Sequence, residues 1–143
     1  MDWAAAEGFA RRIIETYDVR CPGPQARIRL LSGGNMQKLI LGRVLEAKPR
    51  IILANQPVRG LDIGAVTFVH NRLIAARDAG AAVLLISEDL EEIRALADRI
   101  AVLFGGRLTE ARPSAQWDAA AIGLAMAGEP AATGAPSRTA VPG

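Results

Sequence analysis

The segment best suited to binding a phosphate is residues 31–38, Leu-Ser-Gly-Gly-Asn-Met-Gln-Lys. Ser32 fits the N-cap of a helix, because apolar residues follow it at helical spacing. A helix N-terminus offers free N–H groups and a positive dipole end, and Gly33 and Gly34 let a phosphate approach the backbone. No Gly-x-x-x-x-Gly-Lys-Ser/Thr cradle occurs in the 143 residues. The sequence therefore predicts half of a nucleotide site.

Two short apolar runs, residues 51–54 and 82–86, predict buried parallel strands on either side of a helix. The helix that follows Ser32 should end near Lys48, because Pro49 disfavours helical geometry in the residue before it. The helix between the strands should begin at Asp62 or Gly64 and end at Gly80.

The rest of the chain can be divided by the same signals. We predict a helix from Asp2 to Tyr17, a loop over 18–31, a helix capped by Asp89, a hairpin of 100–104 and 107–109 around two glycines, and a helix over 114–127. After Gly128 the composition predicts disorder.

Strands alternating with helices indicate an α/β layered fold with a mostly parallel sheet. Ligands of such sheets bind at the carboxyl ends of the strands. Asn55 and Gln56 end the first strand, and Ser87 and Glu88 end the second. Four polar residues are therefore expected on one rim.

Composition narrows the function classes. The net charge is only +2 and the charges are interspersed, so binding to nucleic acid is not expected. Cys21 is the single cysteine, which excludes an internal disulfide and fits a reducing compartment. Neither an 18-residue apolar stretch nor a secretion signal is visible, so we expect a cytoplasmic protein.

Several segments, in this order, resemble the ATP-binding-cassette (ABC) transporter ATPases, specifically the C-terminal part of the second cassette in twin-cassette importers of simple sugars and nucleosides. Residues 31–38 resemble the family signature, and Ile-Ile-Leu-Ala-Asn-Gln-Pro at 51–57 lies where the Walker B strand belongs. Residues 58–65 resemble the D-loop, residues 85–92 the end of the switch-histidine strand, and 97–102 and 122–128 suit the importer subgroup. The resemblance covers roughly residues 5–128.

The resemblance implies a P-loop NTPase-like three-layer fold that lacks the half holding the P-loop, so the chain looks like a fragment or a truncated product. It also implies a partial ATPase domain over 1–128 and a disordered tail over 129–143. Within the domain we expect a helical signature subdomain (1–48), core strands and helices with the hairpin (49–112), and a C-terminal helix (113–128).

The chain departs from the family at its catalytic positions. The family's Walker B strand ends in Asp-Glu, whereas this chain has Asn55 and Gln56, and Glu88 stands at the switch histidine. A neutral amide is a poor ligand for Mg²⁺ and a poor general base. A carboxylate near a γ-phosphate is repulsive. No intact catalytic set and no metal site of the chain's own are expected.

Cassettes of this family pair head to tail, with each ATP between the P-loop of one and the signature of the other. The resemblance thus implies that Ser32, Gly33 and Gly34 clamp ATP that a partner cassette holds with Mg²⁺. Asn35 or Gln37 would reach the ribose, and Asp62 in the D-loop would align the partner's site. The expected partners are another cassette and membrane permease subunits, which would hold the chain at the inner face of the cell membrane.

Other interpretations remain open. Residues 32–34 also fit a plain helix cap, Asn55 and Gln56 a strand end before a turn, and Glu88 the approach to a helix. The function could be that of a non-catalytic module that docks without nucleotide. An ABC protein of repair or translation is a third class, against which the importer-like segments 59–62 and 126–128 argue.

Overall fold

The computed structural model of the chain describes residues 2–129, whose elements group into two units divided between Asp89 and Leu90. The first unit contains α1 (Trp3–Thr16), α2 (Gly33–Leu45), β1 (Ile51–Asn55), α3 (Ile63–Asp78) and β2 (Ala82–Ile86). The second contains α4 (Leu90–Leu96), β3 (Arg99–Ile100), β4 (Leu103–Phe104), β5 (Arg107–Leu108), β6 (Arg112–Pro113) and α5 (Ala119–Met126).

The sheet of the first unit consists of β1 and β2, which are parallel and connected through α3. The register pairs Ile51 with Ala82 and Asn55 with Ile86, so both strands end at the same rim. The predicted α/β arrangement with a parallel pair is therefore confirmed in this unit.

One face of this sheet packs on helices. Its core consists of Leu41, Ile52, Ala54, Val69 and Leu73, all buried. A second cluster joins α1 to α2 through Ile13, Tyr17 and Val19. At Gly42 a Cβ atom would lie 2.7 Å from Cγ2 of Ile13, so the close approach of α1 and α2 requires glycine there.

The other face of the sheet is exposed, and this corrects the prediction that both strands are fully buried. Ile51 and Leu53 of β1 are 75% and 66% exposed, and Leu84 and Ile86 of β2 are 59% and 46% exposed. We call these four residues the open face. The apolar runs predicted the strands correctly, but burial of both faces requires layers on both sides.

The helix starts of the first unit were predicted from their caps and are confirmed. Asp2, Ser32 and Asp62 are N-caps, and each accepts a hydrogen bond from the backbone N–H three residues on. α2 ends at Leu45 with Glu46 as its C-cap, somewhat before the predicted end near Lys48. The predicted loop 18–31 contains one 3₁₀ turn, Ile28–Leu30.

The hairpin of the second unit is β4–β5, and Gly105 and Gly106 have φ angles of 54° and 75°. Two positive φ angles are the requirement of a type I′ turn, so the predicted primed turn is confirmed. The predicted single strand over 100–104 was wrong, because Ile100 belongs to β3 and pairs with Arg112 of β6.

The predicted helix over 114–127 is confirmed over Ala119–Met126 but does not include the residues before it. A 3₁₀ turn, Ser114–Gln116, precedes buried Trp117, whose Nε1 donates to the carbonyl of Ile100 at 3.2 Å. Asp118 then caps α5. The expected tail lies, from residue 130 on, outside the described residues, and the three-part division of residues 1–128 stays a prediction.

Within residues 2–129, no helix combines the length and the apolar composition that crossing a membrane requires.

Candidate functional site

The turn of residues 32–34, which we call the serine–glycine turn, lies at the N-terminus of α2. The Ser32 hydroxyl oxygen accepts from the backbone N–H of Asn35 at 3.4 Å and from its Nδ2 at 2.8 Å. The first N–H groups of a helix have no acceptor within the helix, and Gly33 is exposed. The turn therefore presents backbone N–H donors. It also presents the hydroxyl proton of Ser32, because the Ser32 oxygen only accepts in the two bonds above.

Asn35 fixes this turn to the loop that follows α1. Its Oδ1 accepts from the backbone N–H of Arg20 at 2.7 Å, while its Nδ2 is bonded to Ser32. Both ends of the amide are thus engaged inside the unit. The expected contact of Asn35 with a ribose stays a prediction.

The N-termini of α2 and α3 lie against each other. A Cβ atom placed on Gly34 would lie 3.2 Å from the Cβ of Ala65 and 3.6 Å from Oδ2 of Asp62. Asp62 also accepts from the backbone N–H of Ala65 through Oδ1 at 2.9 Å. The structure therefore brings together the serine–glycine turn and Asp62, two parts of the predicted site separated by about thirty residues of sequence.

The two helix ends differ in charge. A helix N-terminus carries a partial positive charge of roughly +0.5 e. The carboxylate of Asp62 lies on the end of α3 and compensates it, whereas the neutral hydroxyl of Ser32 caps α2. Oδ2 of Asp62 would nevertheless lie 3.6 Å from a Cβ atom on Gly34, so this carboxylate also offsets part of the positive charge at the end of α2.

Lys38, one turn further along α2, is held by the C-terminal end of α1. Its Nζ donates to the backbone carbonyl and to Oδ2 of Asp18, both at 3.0 Å, and lies 4.8 Å from the ring centroid of Phe68. The hydrogen bond and the charge of Lys38 hold the pKa of Asp18 below its ordinary value. This contact orients the helix that carries the serine–glycine turn.

Arg72 makes the corresponding link between α3 and α1. Its guanidinium lies 4.9 Å from the ring centroid of Tyr17 and 5.2 Å from that of Phe68, and donates to the carbonyl of Thr16 at 2.8 Å. Burial raises the pKa of Tyr17, and Glu46 acts in the same direction. No local pattern predicted the role of Arg72 or of Lys38, because their partners are 20 or more residues away in sequence.

The rim of the sheet has the predicted arrangement. Asn55 ends β1 opposite Ile86, and the backbone N–H of Gln56 donates to the carbonyl of Ile86 at 2.8 Å. Gln56 has a φ of 49°, in the left-handed region that costs a non-glycine residue about 1 kcal/mol. Ser87 accepts from the backbone N–H of Asp89 through its hydroxyl oxygen, and Glu88 is exposed.

The residues at the rim do not suit Mg²⁺. The two positions at the end of β1 offer neutral amides, and this cation prefers carboxylate and phosphate oxygens. Within residues 2–129 no three His, Cys, Asp or Glu side chains come together as a set that could hold a metal ion. The serine–glycine turn, in contrast, presents the N–H groups of a helix N-terminus and one hydroxyl group.

Known proteins resemble this chain over most of its length. It is 51% identical to the guanosine import ATP-binding protein NupO of Bacillus subtilis over 119 residues, which is 83% of this chain and 23% of that protein. It is 44% identical to the nucleoside import ATP-binding protein NupA of Lactococcus lactis over 108 residues, 76% of this chain and 21% of that protein.

The ribose import ATP-binding protein RbsA 1 of Rubrobacter xylanophilus is 36% identical over 126 residues, 87% of this chain and 25% of that protein. The chain thus spans only about a quarter of the length of the curated relatives it matches. No family model matches the chain.

Solved structures resemble it in fold. The dimeric bacterial ABC transporter cassette MJ0796 superposes with a TM-score of 0.66 at 23% identity, over 80% of this chain and 49% of the cassette. The ATP-binding cassette MJ1267 gives a TM-score of 0.64 at 22% identity, over 84% of this chain and 46% of the cassette. The fold is therefore about half of an ABC cassette.

Proposed function

Because this chain belongs to the ATP-binding proteins of ABC importers, we propose that it supplies the serine–glycine turn in trans to the ATP site of a partner cassette. The proposed whole is a composite motor of a sugar or nucleoside importer. In that motor the active site belongs to the partner, and this chain completes it.

The observation that carries the proposal is a contrast within one unit. The serine–glycine turn has its cap, its two glycines and the N–H groups of a helix N-terminus that a neutral side chain caps. The end of β1, where the family has two carboxylates, has Asn55 and Gln56. An intact phosphate-binding turn beside neutral amides favours a chain that binds a nucleotide presented by another protein over one that cleaves its own.

The chain's own residues would act by hydrogen bonding and by position. The Ser32 hydroxyl and the N–H groups of Gly33 and Gly34 would donate to phosphate oxygens, aided by the α2 dipole. Asp62, fixed against Gly34, would face the partner together with this turn. The ATP and Mg²⁺ that the partner holds would supply the reacting phosphoryl group and its charge neutralisation.

Substitutions of Ser32 test this role. Ser32→Arg places a bulky side chain in the turn and should abolish ATP turnover by the assembled complex. Ser32→Asp keeps a good N-cap but adds a negative charge, so it should abolish turnover without loss of stability. Ser32→Thr keeps both cap and hydroxyl and is the matched control. Unchanged turnover with Ser32→Asp would exclude the trans role.

A second experiment concerns the chain alone. With neutral amides at positions 55 and 56 and a carboxylate at Glu88, it should release no phosphate from ATP above background. Phosphate release by a purified sample free of other cassettes would contradict the proposal.

The open face favours an alternative, a module that docks on a cassette or permease without nucleotide. Four exposed apolar side chains on one sheet surface are a typical binding surface. Association of the chain with a P-loop-bearing importer cassette discriminates the two functions. ATP-dependent association supports the trans role, and association that is equal with and without ATP supports docking alone.

The names of the relatives indicate the transport class. NupO, NupA and RbsA 1 are import proteins for guanosine, nucleosides and ribose. We propose that this chain serves an importer of the same class, bound through permease subunits to the cytoplasmic face of the membrane. Reconstituted uptake of a nucleoside and of ribose, with and without the chain, tests that assignment.

A further inference from the structure

Gln37 makes a hydrogen bond that the sequence did not predict. Its side-chain Nε2 donates to the backbone carbonyl of Pro57 at 2.8 Å, and the bond is partly buried. Gln37 lies in the second turn of α2, whereas Pro57 lies in the segment between β1 and α3. We call residues 56–62 the connecting loop. The bond therefore joins the helix of the serine–glycine turn to the loop that leads to Asp62.

The first residues of the connecting loop are anchored to the sheet, because the backbone N–H of Gln56 donates to the carbonyl of Ile86 at 2.8 Å and Pro57 is buried. Arg59 N donates to the carbonyl of Gln56 at 3.2 Å and Leu61 N to that of Val58 at 3.1 Å, so both bonds are internal to the loop. Pro57 has no N–H to donate. Gln37 thus supplies the side-chain bond that ties the start of the loop to α2.

The end of the loop touches α2 at a second point. Asp62 and Ala65 lie so close to Gly34 that a Cβ atom there would be 3.2 Å from Ala65. α2 therefore holds the connecting loop at its start through Gln37 and at its end through Gly34. Two separated contacts fix both the orientation of the loop relative to α2 and its distance from α2.

We infer that Gln37 is a positioning residue, which holds the serine–glycine turn and Asp62 as one rigid surface toward a partner cassette. This inference rests on the proposed trans function. It replaces a direct contact with a ribose by an indirect role, since one of the two N–H donors of the Gln37 amide is already bonded to Pro57. Loss of this bond lets the connecting loop move relative to the serine–glycine turn. The turn and Asp62 then no longer contact a partner cassette at the same time.

Two variants test the inference in the full 143-residue chain. Gln37→Met keeps the length of the side chain but has no donor. Gln37→Glu places an ionised carboxylate, which cannot donate, against the carbonyl of Pro57, and regains a donor when protonated. Gln116→Glu, on an exposed residue of the second unit, is the matched control for the charge.

The first readout is association with a P-loop-bearing importer cassette in the presence of a non-hydrolysable ATP analogue. At pH 7.5 both variants should bind about tenfold more weakly than the wild type, the loss expected for one hydrogen bond. As the pH falls toward the ordinary carboxyl pKa, the deficit of Gln37→Glu should shrink, and that of Gln37→Met should not. Equal binding by all chains, or a deficit independent of pH in both variants, would overturn the inference.

The second readout does not depend on nucleotide. Amide hydrogen exchange at Arg59 and Leu61 should be about tenfold faster in Gln37→Met than in the wild type. If the wild type shows no ATP-dependent association, the proposed function fails. Hydrogen exchange then tests by itself whether Gln37 fixes the connecting loop. Unchanged exchange, or unfolding of both variants at 25 °C, would contradict a role limited to positioning.

Discussion

Gly34 and Ala65 meet so closely that a Cβ atom on Gly34 would lie 3.2 Å from the Cβ of Ala65. The contact joins the first turns of α2 and α3 without a side chain between them. The relative placement of the two helix N-termini therefore depends on the absence of a methyl group at Gly34.

Gly34→Ala should have a free energy of unfolding about 1 kcal/mol lower than Gly33→Ala, because both changes favour the helix but only the methyl group at position 34 overpacks Ala65. Urea unfolding of the full chain measures this. Gly33→Ala is the matched control, since nothing lies within 4 Å of a Cβ atom there. In the double variant Gly34→Ala/Ala65→Gly the space is restored, so the two effects should not add. Equal stability of Gly34→Ala and Gly33→Ala would contradict the close contact.

Asp62 combines a cap with a charge, and two substitutions separate them. Asp62→Ala should cost about 1 kcal/mol of stability, because α3 loses its N-cap. Asp62→Asn keeps an acceptor for the backbone N–H of Ala65, so its stability should stay within about 0.5 kcal/mol of the wild type. Thermal or urea unfolding checks both. Equal destabilisation by the two would show that the charge, not the cap, stabilises α3.

The ion pair of Lys38 with Asp18 predicts a pH dependence of stability. Lys38 lowers the pKa of Asp18 from its ordinary value of 3.8. A carboxyl group with a lowered folded pKa stabilises the fold above its unfolded pKa, and the contribution disappears as the pH falls through the folded pKa. Asp18→Asn should therefore be less stable than the wild type at pH 7, and the difference should vanish in acid.

Unfolding midpoints of the wild type and of Asp18→Asn measure this difference. They should be compared between about pH 2 and 7, because carboxyl groups titrate in this range. Asp78→Asn is the control, because Asp78 is an exposed carboxyl group that pairs with its sequence neighbour Arg77. A constant difference between wild type and Asp18→Asn across the range would rule out the ion pair as its source.

The open face predicts a separation of solubility from stability. Leu53→Lys replaces a side chain that is 66% exposed, so it should raise the concentration at which the chain stays monomeric with little loss of stability. Ile52→Lys, one residue earlier and 4% exposed, should unfold the unit because it buries a charge. Light scattering and circular dichroism measure the two. If Leu53→Lys aggregated as much as the wild type, the open face would not be the surface through which the chains associate.

Local signals predicted the parts of the site that act over a few residues. Ser32 and Asp62 cap helices through bonds to residues three positions away, so their sequence context sufficed. The parallel strands followed from two apolar runs, and their shared rim from the order of the elements. These predictions needed no knowledge of the tertiary contacts between helices and strands.

Contacts between distant segments could not be predicted in this way. Gln37 bonds Pro57 across 20 residues and Arg72 bonds Thr16 across 56, and no local pattern marks either pair. Strand burial failed for the same reason, because exposure of Leu53 depends on whether another layer covers that face. The split of 100–104 depends likewise on the pairing of Ile100 with Arg112.

The exposed sheet has a consequence for the life of the chain in a cell. Apolar side chains on strands without a covering layer attract chaperones and proteases until another protein shields them. The steady-state amount of this chain should then follow the supply of whatever shields it, and excess copies should be degraded. Its stoichiometry would be set after translation, by turnover, and would need no matched rate of synthesis.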